Sequence, residues 1–126
     1  MTDEQPGKLE TVKLCCRALD DKKAEALKVL DVSRVSSVTD YFIIASGTSE
    51  PHLRALTNEV AHVLKEHHVD VLGKDLSGES GWNVVDAFDV IIHLFLPETR
   101  EYYRLDSLWK DGVEVPLDTL LPVGTP

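Results

Sequence analysis

The sequence has few cysteines and no long apolar run, and each shortage excludes a class of protein. Its 126 residues contain two cysteines, Cys15 and Cys16, which are adjacent and lie within a helical pattern. Adjacent cysteines supply neither a disulfide framework nor the spacing of a metal or redox motif, so we expect at least one to be a small buried side chain. The longest apolar run, residues 90 to 96, contains His93 and falls far short of the roughly 20 residues that a membrane span needs. We therefore expect a soluble protein that does not enter a membrane.

Basic residues are scarce relative to acidic ones. The chain has 13 lysines and arginines against 22 aspartates and glutamates, which gives a formal net charge of -9. This charge repels phosphate backbones, so we expect no direct, sequence-specific binding to nucleic acid, and a charged partner should be a basic protein surface. Residues 1–7, expected to be flexible, carry neither a basic start followed by an apolar stretch nor an arginine-rich, acid-poor composition. We expect the chain to work in the cytoplasm.

Enzymatic motifs are missing as well. The sequence has no dinucleotide-binding glycine motif, no P-loop, no nucleophile elbow and no zinc-protease helix. A metal site would have to recruit His62, His67 and His68, whose spacing spreads them around a helix. The turn at residues 47 to 49 precedes a helix and offers N–H groups to an anion, but capping by Ser49 explains it more simply. We therefore expect no catalysis, no metal and no cofactor.

Hydrophobic periodicity predicts the elements of the first half of the chain. Apolar residues recur on one helical face between residues 8 and 20. Residues 26 to 32 form an apolar stretch typical of a strand, although residues 24 to 30 are also compatible with an extension of the helix. The aromatic and β-branched run Tyr41–Ser46 predicts a buried strand. A second helix is predicted to begin after Ser49, because this residue type caps helices and an acidic residue and a proline follow it.

The second half of the chain completes an α/β order. We expect the second helix to end at residues 67 to 68, a short strand near residues 69 to 72, and a closing helix over residues 98 to 110. The strand at 41–46 and the strand at 69–72 would then be parallel partners. The predicted fold class is a single α/β domain over residues 8–115, with a mixed β-sheet of about five strands, helices packed mainly on one face, and a C-terminal tail at 116–126.

Residues 82 to 96 are the most informative stretch, because side chains alternate between two faces of a hairpin. A turn at Ala87-Phe88 would place one apolar face on the core. This face contains Val85, Val90, Ile92, Leu94 and Leu96, interrupted only by Asn83. On the other face the predicted pairs are Trp82 with His93, Val84 with Ile91, and Asp86 with Asp89. The turn lacks the glycine of a tight hairpin, but a shift of two residues would preserve both faces.

This other face is the candidate functional site. An aromatic and aliphatic patch edged by carboxylates has the composition of a protein-docking surface. Two alternatives stay open: a helix of the same chain covers the face as ordinary core, or a second copy shares it in a homodimer. Carboxylates beside a turn are common, so a catalytic pair is less favoured. The predicted partner-binding residues are Trp82, Val84, Asp86, Asp89, Ile91, His93, Phe95 and Tyr103.

Four segments in order resemble the ribosomal silencing factor family, also called the Iojap family. They are the residues Val-Leu-Asp-Val at 29–32, Asp-Tyr-Phe-Ile-Ile-Ala-Ser-Gly at 40–47, Gly-Trp at 81–82 followed by Asp-Ala-Phe-Asp-Val-Ile-Ile-His-Leu-Phe at 86–95, and Arg-Glu-Tyr-Tyr-Arg-Leu-Asp-Ser-Leu-Trp at 100–109. The resemblance covers about residues 12 to 115. It implies a nucleotidyltransferase-like topology and a non-catalytic translation regulator. It also implies binding to the large ribosomal subunit through ribosomal protein fourteen, which keeps the small subunit from joining, and a related role in large-subunit biogenesis.

The chain departs from the family pattern at two positions. Phe88 stands where the family usually has glycine before the hairpin aspartate, and His52 stands where the second helix usually has a glutamine. The first makes the turn geometry uncertain, and the second removes the glutamine half of a capping box.

Two alternative functions remain at the level of sequence. A nucleotidyltransferase-like enzyme would need a Gly-Ser turn followed by an Asp-x-Asp pair, whereas Gly47 is followed by Thr48 and the sequence contains no Asp-x-Asp. An adaptor for another basic protein would use the same patch and the same acidic charge.

Overall fold

The computed structural model describes residues 7–37, 39–71, 73–75, 81–102 and 111–121. In chain order the elements are α1 (Lys8–Asp21), β1 (Glu25–Asp31), β2 (Tyr41–Ser46), α2 (Glu50–Glu66), β3 (Gly73–Asp75), β4 (Trp82–Asp86), β5 (Val90–Phe95), α3 (Pro97–Tyr102), β6 (Val113–Glu114) and α4 (Leu117–Leu120). No helix in these ranges is long and apolar enough to cross a membrane. The predictions for α1, β1, β2 and the start of α2 are confirmed within two residues.

Six strands form one mixed sheet in the order β3-β4-β5-β2-β1-β6. The central pair, β2 and β5, is parallel, and the other neighbouring pairs of the described strands are antiparallel. The chain reaches β5 from β2 through α2 and the β3–β4 hairpin, so one long connection joins the parallel partners. The predicted α/β class with a mixed sheet is confirmed.

The predicted strand at residues 69–72 is wrong for its described part, and so is its parallel pairing with β2. Residues 69 to 71 form no strand, and Val69 belongs to the C-terminal cap of α2. The amides of His68 and Val69 donate to the carbonyls of Lys65 and Leu64 at 3.1 and 2.9 Å. His68 has a φ of 63°, which completes a Schellman motif. The side chain of Val69 packs against the hydrophobic core at the C-terminal end of α2, which accounts for its apolar character. The strand β3 begins only at Gly73.

The helices α1, α2 and α4 cover one face of the sheet, in agreement with the prediction that helices pack mainly on one face. Alternate strand residues supply that face, and the main core combines them with one stripe of α1, one stripe of α2 and a residue of α4. Both cysteines lie in this core, and burial raises the pKa of the Cys16 thiol to about 12, so it stays protonated. The fully buried members include Val12, Cys15, Leu19, Ile43, Leu56, Val60, Val85, Ile92 and Leu94.

One polar side chain interrupts the core face, as its sequence position predicts. Asn83 is 2% exposed, and its amide nitrogen donates to the Thr57 hydroxyl at 3.1 Å. Thr57 in turn donates to the carbonyl of Leu53 at 2.8 Å. This chain of hydrogen bonds links β4 to α2 and gives partners to two buried polar groups, the Asn83 amide nitrogen and the Thr57 hydroxyl.

The end of the described chain contains two elements that the sequence did not predict. The two-residue strand β6 pairs with the end of β1, and the amide of Val115 donates to the carbonyl of Val29 at 2.8 Å. Leu120 of α4 is 1% exposed and belongs to the main core. The closing helix begins at Pro97, and the rest of its predicted span, residues 103–110, lies outside the described residues.

Candidate protein interface

The β4–β5 hairpin carries the candidate site, but its register differs from the predicted one. Trp82 lies opposite Phe95, Val84 opposite His93, and Asp86 opposite Ile91, so each predicted pair is wrong by two residues. The turn is built on Phe88 and Asp89 instead of Ala87 and Phe88, because the Ala87 amide donates to the Val90 carbonyl at 2.9 Å. A shift of two residues keeps every side chain on its predicted face.

The glycine before the hairpin fixes where the first aromatic residue lies. Gly81 has a φ of 71°, and a Cβ at this position would come within 2.5 Å of the Thr99 hydroxyl oxygen. The carbonyl of Gly81 also accepts from the Leu96 amide at 2.9 Å, which closes the open end of the hairpin. Glycine is required here both for its conformation and for its lack of a side chain. Trp82 therefore enters β4 at a fixed point beside α3.

Four aromatic rings form a cluster on the face of the sheet opposite α1, α2 and α4. The Trp82 and Phe95 ring centroids lie 5.0 Å apart, and His93 stacks parallel to Phe95 at 6.2 Å. Phe42 of β2 meets His93 edge-on at 5.1 Å. The Trp82 indole nitrogen donates to Nδ1 of His93 at 3.3 Å. The Trp82 indole is therefore held by a ring contact with Phe95 and by a ring contact and a hydrogen bond with His93.

His93 is electrically neutral at physiological pH because it is buried. Its exposure is 9%, and desolvation lowers the pKa of the imidazole to about 4. Nδ1 accepts the indole N–H, so the ring proton lies on Nε2. The site therefore has an apolar, uncharged centre even though a histidine stands in it.

The predicted partner-binding residues divide into an outer and an inner set. Phe95 is fully buried and His93 is nearly so; they support Trp82 instead of offering surface of their own. Tyr103 lies outside the described residues. The partly exposed members are Trp82, Val84, Asp86, Asp89 and Ile91. We call these five residues the docking patch.

Carboxylates crowd the end of the sheet beside the docking patch. Asp86 is the last residue of β4 and Asp89 is the second residue of the turn. The amides of Asp40 and Tyr41 both donate to the Asp89 carbonyl at 3.1 Å. Asp40 is paired with Lys8 at 2.5 Å. Hydrogen bonds from the Ser33 hydroxyl and amide hold the pKa of Asp31 below its usual value. This end of the molecule is accordingly acidic, with Lys8 as a cation within it.

The turn before α2 is capped in a way that weakens the anion-site alternative. The Ser49 hydroxyl accepts from the His52 amide at 3.2 Å, which confirms Ser49 as the N-cap. Nδ1 of His52 accepts from the Thr48 amide at 2.9 Å, and Nε2 lies 2.7 Å from the Lys22 carbonyl. The His52 ring thus bonds the amide of the residue before the N-cap, where a capping-box glutamine would bond the N-cap amide itself, and it also ties α2 to the end of α1.

The other histidines occupy helix-end and surface positions. Nδ1 of His67 lies 2.9 Å from the Val63 carbonyl at the C-cap of α2, and His62 pairs with Glu66 at 3.4 Å. Over the ranges that the structure describes, no three His, Cys, Asp or Glu side chains form a group that could hold a metal ion.

Sequence reasoning missed two aromatic residues near the site. Phe42 lies two residues before Ile44 on the same face of β2, and this alternation was the signal that could have placed it beside His93. Phe88 is 66% exposed at the hairpin tip. The signal for Phe88 was a large apolar side chain at a turn position where tight hairpins favour glycine.

Comparisons with known proteins agree on one family. The family model described as "Ribosomal silencing factor during starvation" matches residues 5–124. Ribosomal silencing factor RsfS of Bacillus subtilis is 36% identical over 107 residues, which are 85% of this chain and 91% of that protein. Mitochondrial assembly of ribosomal large subunit protein 1 of Mus musculus is 38% identical over 97 residues, which are 72% of this chain and 41% of the mouse protein. A crystal structure from Chromobacterium violaceum matches with a TM-score of 0.79 and 38% identity, covering 88% of this chain and 91% of that one.

Proposed function

The chain belongs to the ribosomal silencing factor family, and we propose that it represses translation by binding the large ribosomal subunit and keeping the small subunit from joining. The contact on the large subunit would be ribosomal protein fourteen, and the protein would act in the cytoplasm. The mouse relative is named for assembly of the large subunit, which supports a second role in its biogenesis. The activity needs no catalytic step, because the bound domain itself would be the obstacle.

The observation that carries the proposal is the partly exposed indole of Trp82 on a supported apolar patch. An aromatic side chain that is held rigidly by neighbouring rings loses little conformational entropy on binding, which makes it a good central anchor. Val84 and Ile91 extend the apolar surface on both strands. The neutral state of His93 keeps the centre of the patch free of charge, as the core of an interface requires.

Charge favours a protein contact over an RNA contact. The formal net charge of -9 opposes approach to ribosomal RNA, whereas the carboxylates of Asp86 and Asp89 at the rim of the patch can meet lysine or arginine on a ribosomal protein. A basic protein exposed on the large subunit therefore satisfies both the apolar centre and the acidic rim. RNA would satisfy neither.

Repression by steric exclusion is tested with purified subunits. Excess wild-type protein should lower the fraction of large and small subunits that sediment together, and Trp82→Ala should restore joining. Val113→Ala is a matched control, because Val113 is an exposed apolar residue on the far strand β6. Equal joining with and without excess wild-type protein would contradict the proposal. If Trp82→Ala still blocks subunit joining, the contact lies outside the docking patch.

A homodimer and an adaptor role are the competing uses of the same patch. A second copy on the docking patch would hide Trp82, so dimer and ribosome complex would exclude each other. Sedimentation of the free protein over a range of concentrations measures self-association, and weaker binding to large subunits at concentrations where a dimer forms would show the competition. Capture of a defined basic protein other than ribosomal protein fourteen, with no binding to large subunits, would favour the adaptor.

A further inference from the structure

We propose that Phe88, at the tip of the β4–β5 hairpin, is a further contact residue of this interface and packs its ring against a lysine or arginine of the basic partner. This inference rests on the proposed docking role of the hairpin. It adds a residue outside the predicted contact set, and it assigns that residue a specific kind of contact.

The exposure of Phe88 is the first reason. Its side chain is 66% exposed, whereas Phe95 seven residues later on the same hairpin is fully buried. A phenylalanine ring in water carries an unfavourable hydration free energy that burial against a partner would remove. Phe88 directly precedes Asp89 of the docking patch in the same turn, so a partner that covers the patch is close to the tip as well.

The backbone of Phe88 is the second reason. Its φ is 73°, in the left-handed region that favours glycine and disfavours a residue with a Cβ. Strained non-glycine positions persist where the surrounding structure holds them, and they concentrate at functional sites. Glycine or asparagine would form this turn with less strain, so the turn itself does not require an aromatic residue.

Hydrogen bonds hold the tip in one conformation. Asp86 Oδ1 accepts from the Phe88 amide at 3.0 Å, and the Asp89 amide donates to the Ala87 carbonyl at 2.9 Å. The Asp89 carbonyl accepts hydrogen bonds from the amides of Asp40 and Tyr41 at the start of β2. The ring is therefore presented by a preorganised turn, and its binding carries a small entropic penalty.

The charge around the ring identifies the occupant as a basic protein side chain. Asp86 and Asp89 flank Phe88 in sequence. Asp40, whose amide donates to the Asp89 carbonyl, is already paired with Lys8, so the carboxylates open to a partner are those of Asp86 and Asp89. A cation that enters this acidic environment meets the negative face of the aromatic ring, and the two attractions act together. An apolar partner surface would bury Asp86 and Asp89 without pairing them, and a phosphate backbone would be repelled by them.

Three substitutions separate the ring from the turn. Phe88→Gly and Phe88→Asn remove the ring and suit the left-handed φ, so both should keep or raise the melting temperature while weakening binding to isolated large subunits by about five- to tenfold. Phe88→Tyr keeps the ring and the strain and should bind like the wild type. Val113→Ala, which removes exposed apolar surface elsewhere, should leave binding unchanged.

The outcomes distinguish this inference from the proposed function on which it rests. If the wild-type protein fails to bind large subunits, the proposed function is wrong and the inference falls with it. If the wild type binds, Trp82→Ala does not, and both Phe88→Gly and Phe88→Asn bind like the wild type, only the inference is overturned. If Phe88→Asn binds normally and Phe88→Gly does not, rigidity of the turn is what matters, and the ring contact is likewise overturned.

Discussion

The two faces of the β4–β5 hairpin come from alternating residues of the same strands, yet they differ in exposure and chemistry. The helix-side face is sealed: Val85, Ile92 and Leu94 have no exposed surface. On the opposite face the exposure of the side chains varies, from the buried ring of Phe95 to the partly exposed Trp82 and Ile91. The comparison teaches that one face of the hairpin stabilises the domain, whereas the other combines buried support with surface that remains available.

The sharpest contrast in stability should separate the neighbours Ile92 and Ile91. Ile92→Ala removes a fully buried side chain from the helix-side core and should lower the free energy of unfolding by about 4 kcal/mol. Ile91→Ala, on the partly exposed face, should cost about 1 kcal/mol. Urea denaturation measures both. Equal losses would mean that the two faces are equally part of the core.

Because His93 is buried, the stability of the folded protein should depend on pH. The pKa of His93 is lowered to about 4 when folded, so below about pH 6.5 the unfolded chain takes up a proton that the folded chain resists. Its contribution to stability is complete above pH 6.5 and should fall by about 3 kcal/mol as the pH approaches 4.

The measurement is the unfolding free energy of the wild type and of His93→Phe at several pH values between 7 and 4. Other groups titrate in both proteins, so the difference between the two isolates His93. The wild type should lose more stability than the variant as the pH falls. Parallel curves would show that His93 is protonated without penalty and is not buried in solution.

The smallest effect is expected at the rim of the docking patch. Asp89→Asn should weaken binding to large subunits by about 0.5 kcal/mol and should make the affinity less sensitive to salt, because an exposed charge contributes little and acts mainly on association. Asp20→Asn, an exposed aspartate on α1, is the control. A salt dependence that is the same for wild type and Asp89→Asn would remove Asp89 from the contact.

Elements with a local signature were predictable from sequence. Tyr41–Ser46 is a run of aromatic and β-branched residues, and Ser49 and Pro51 mark a helix start, so β2 and α2 lie where the pattern put them. The core face of the hairpin was also predictable, because alternation survives a register shift of two residues.

Features that depend on the backbone or on distant contacts were not predictable. Phe88 occupies a left-handed turn position that the rules reserve for glycine, so the turn was placed one residue early and the pairs were displaced by two. The apolar residues 69 to 72 predict a strand, whereas the Val69 amide caps the end of α2. Leu120 belongs to the core, and its helical spacing with Leu117 and Leu121 spans only residues 117–121 between two prolines, which is too short a pattern to predict a helix.

The most direct test of the account is a binding titration of the chain with isolated large ribosomal subunits, with wild type and Trp82→Ala compared side by side. The variant's fold is checked first by its far-UV circular dichroism and by cooperative unfolding. The account predicts tight binding by the wild type and a loss of about 2 kcal/mol or more in the folded variant, because the indole is the central anchor. Equal affinity of the two proteins would contradict the site, and failure of the wild type to bind would contradict the function.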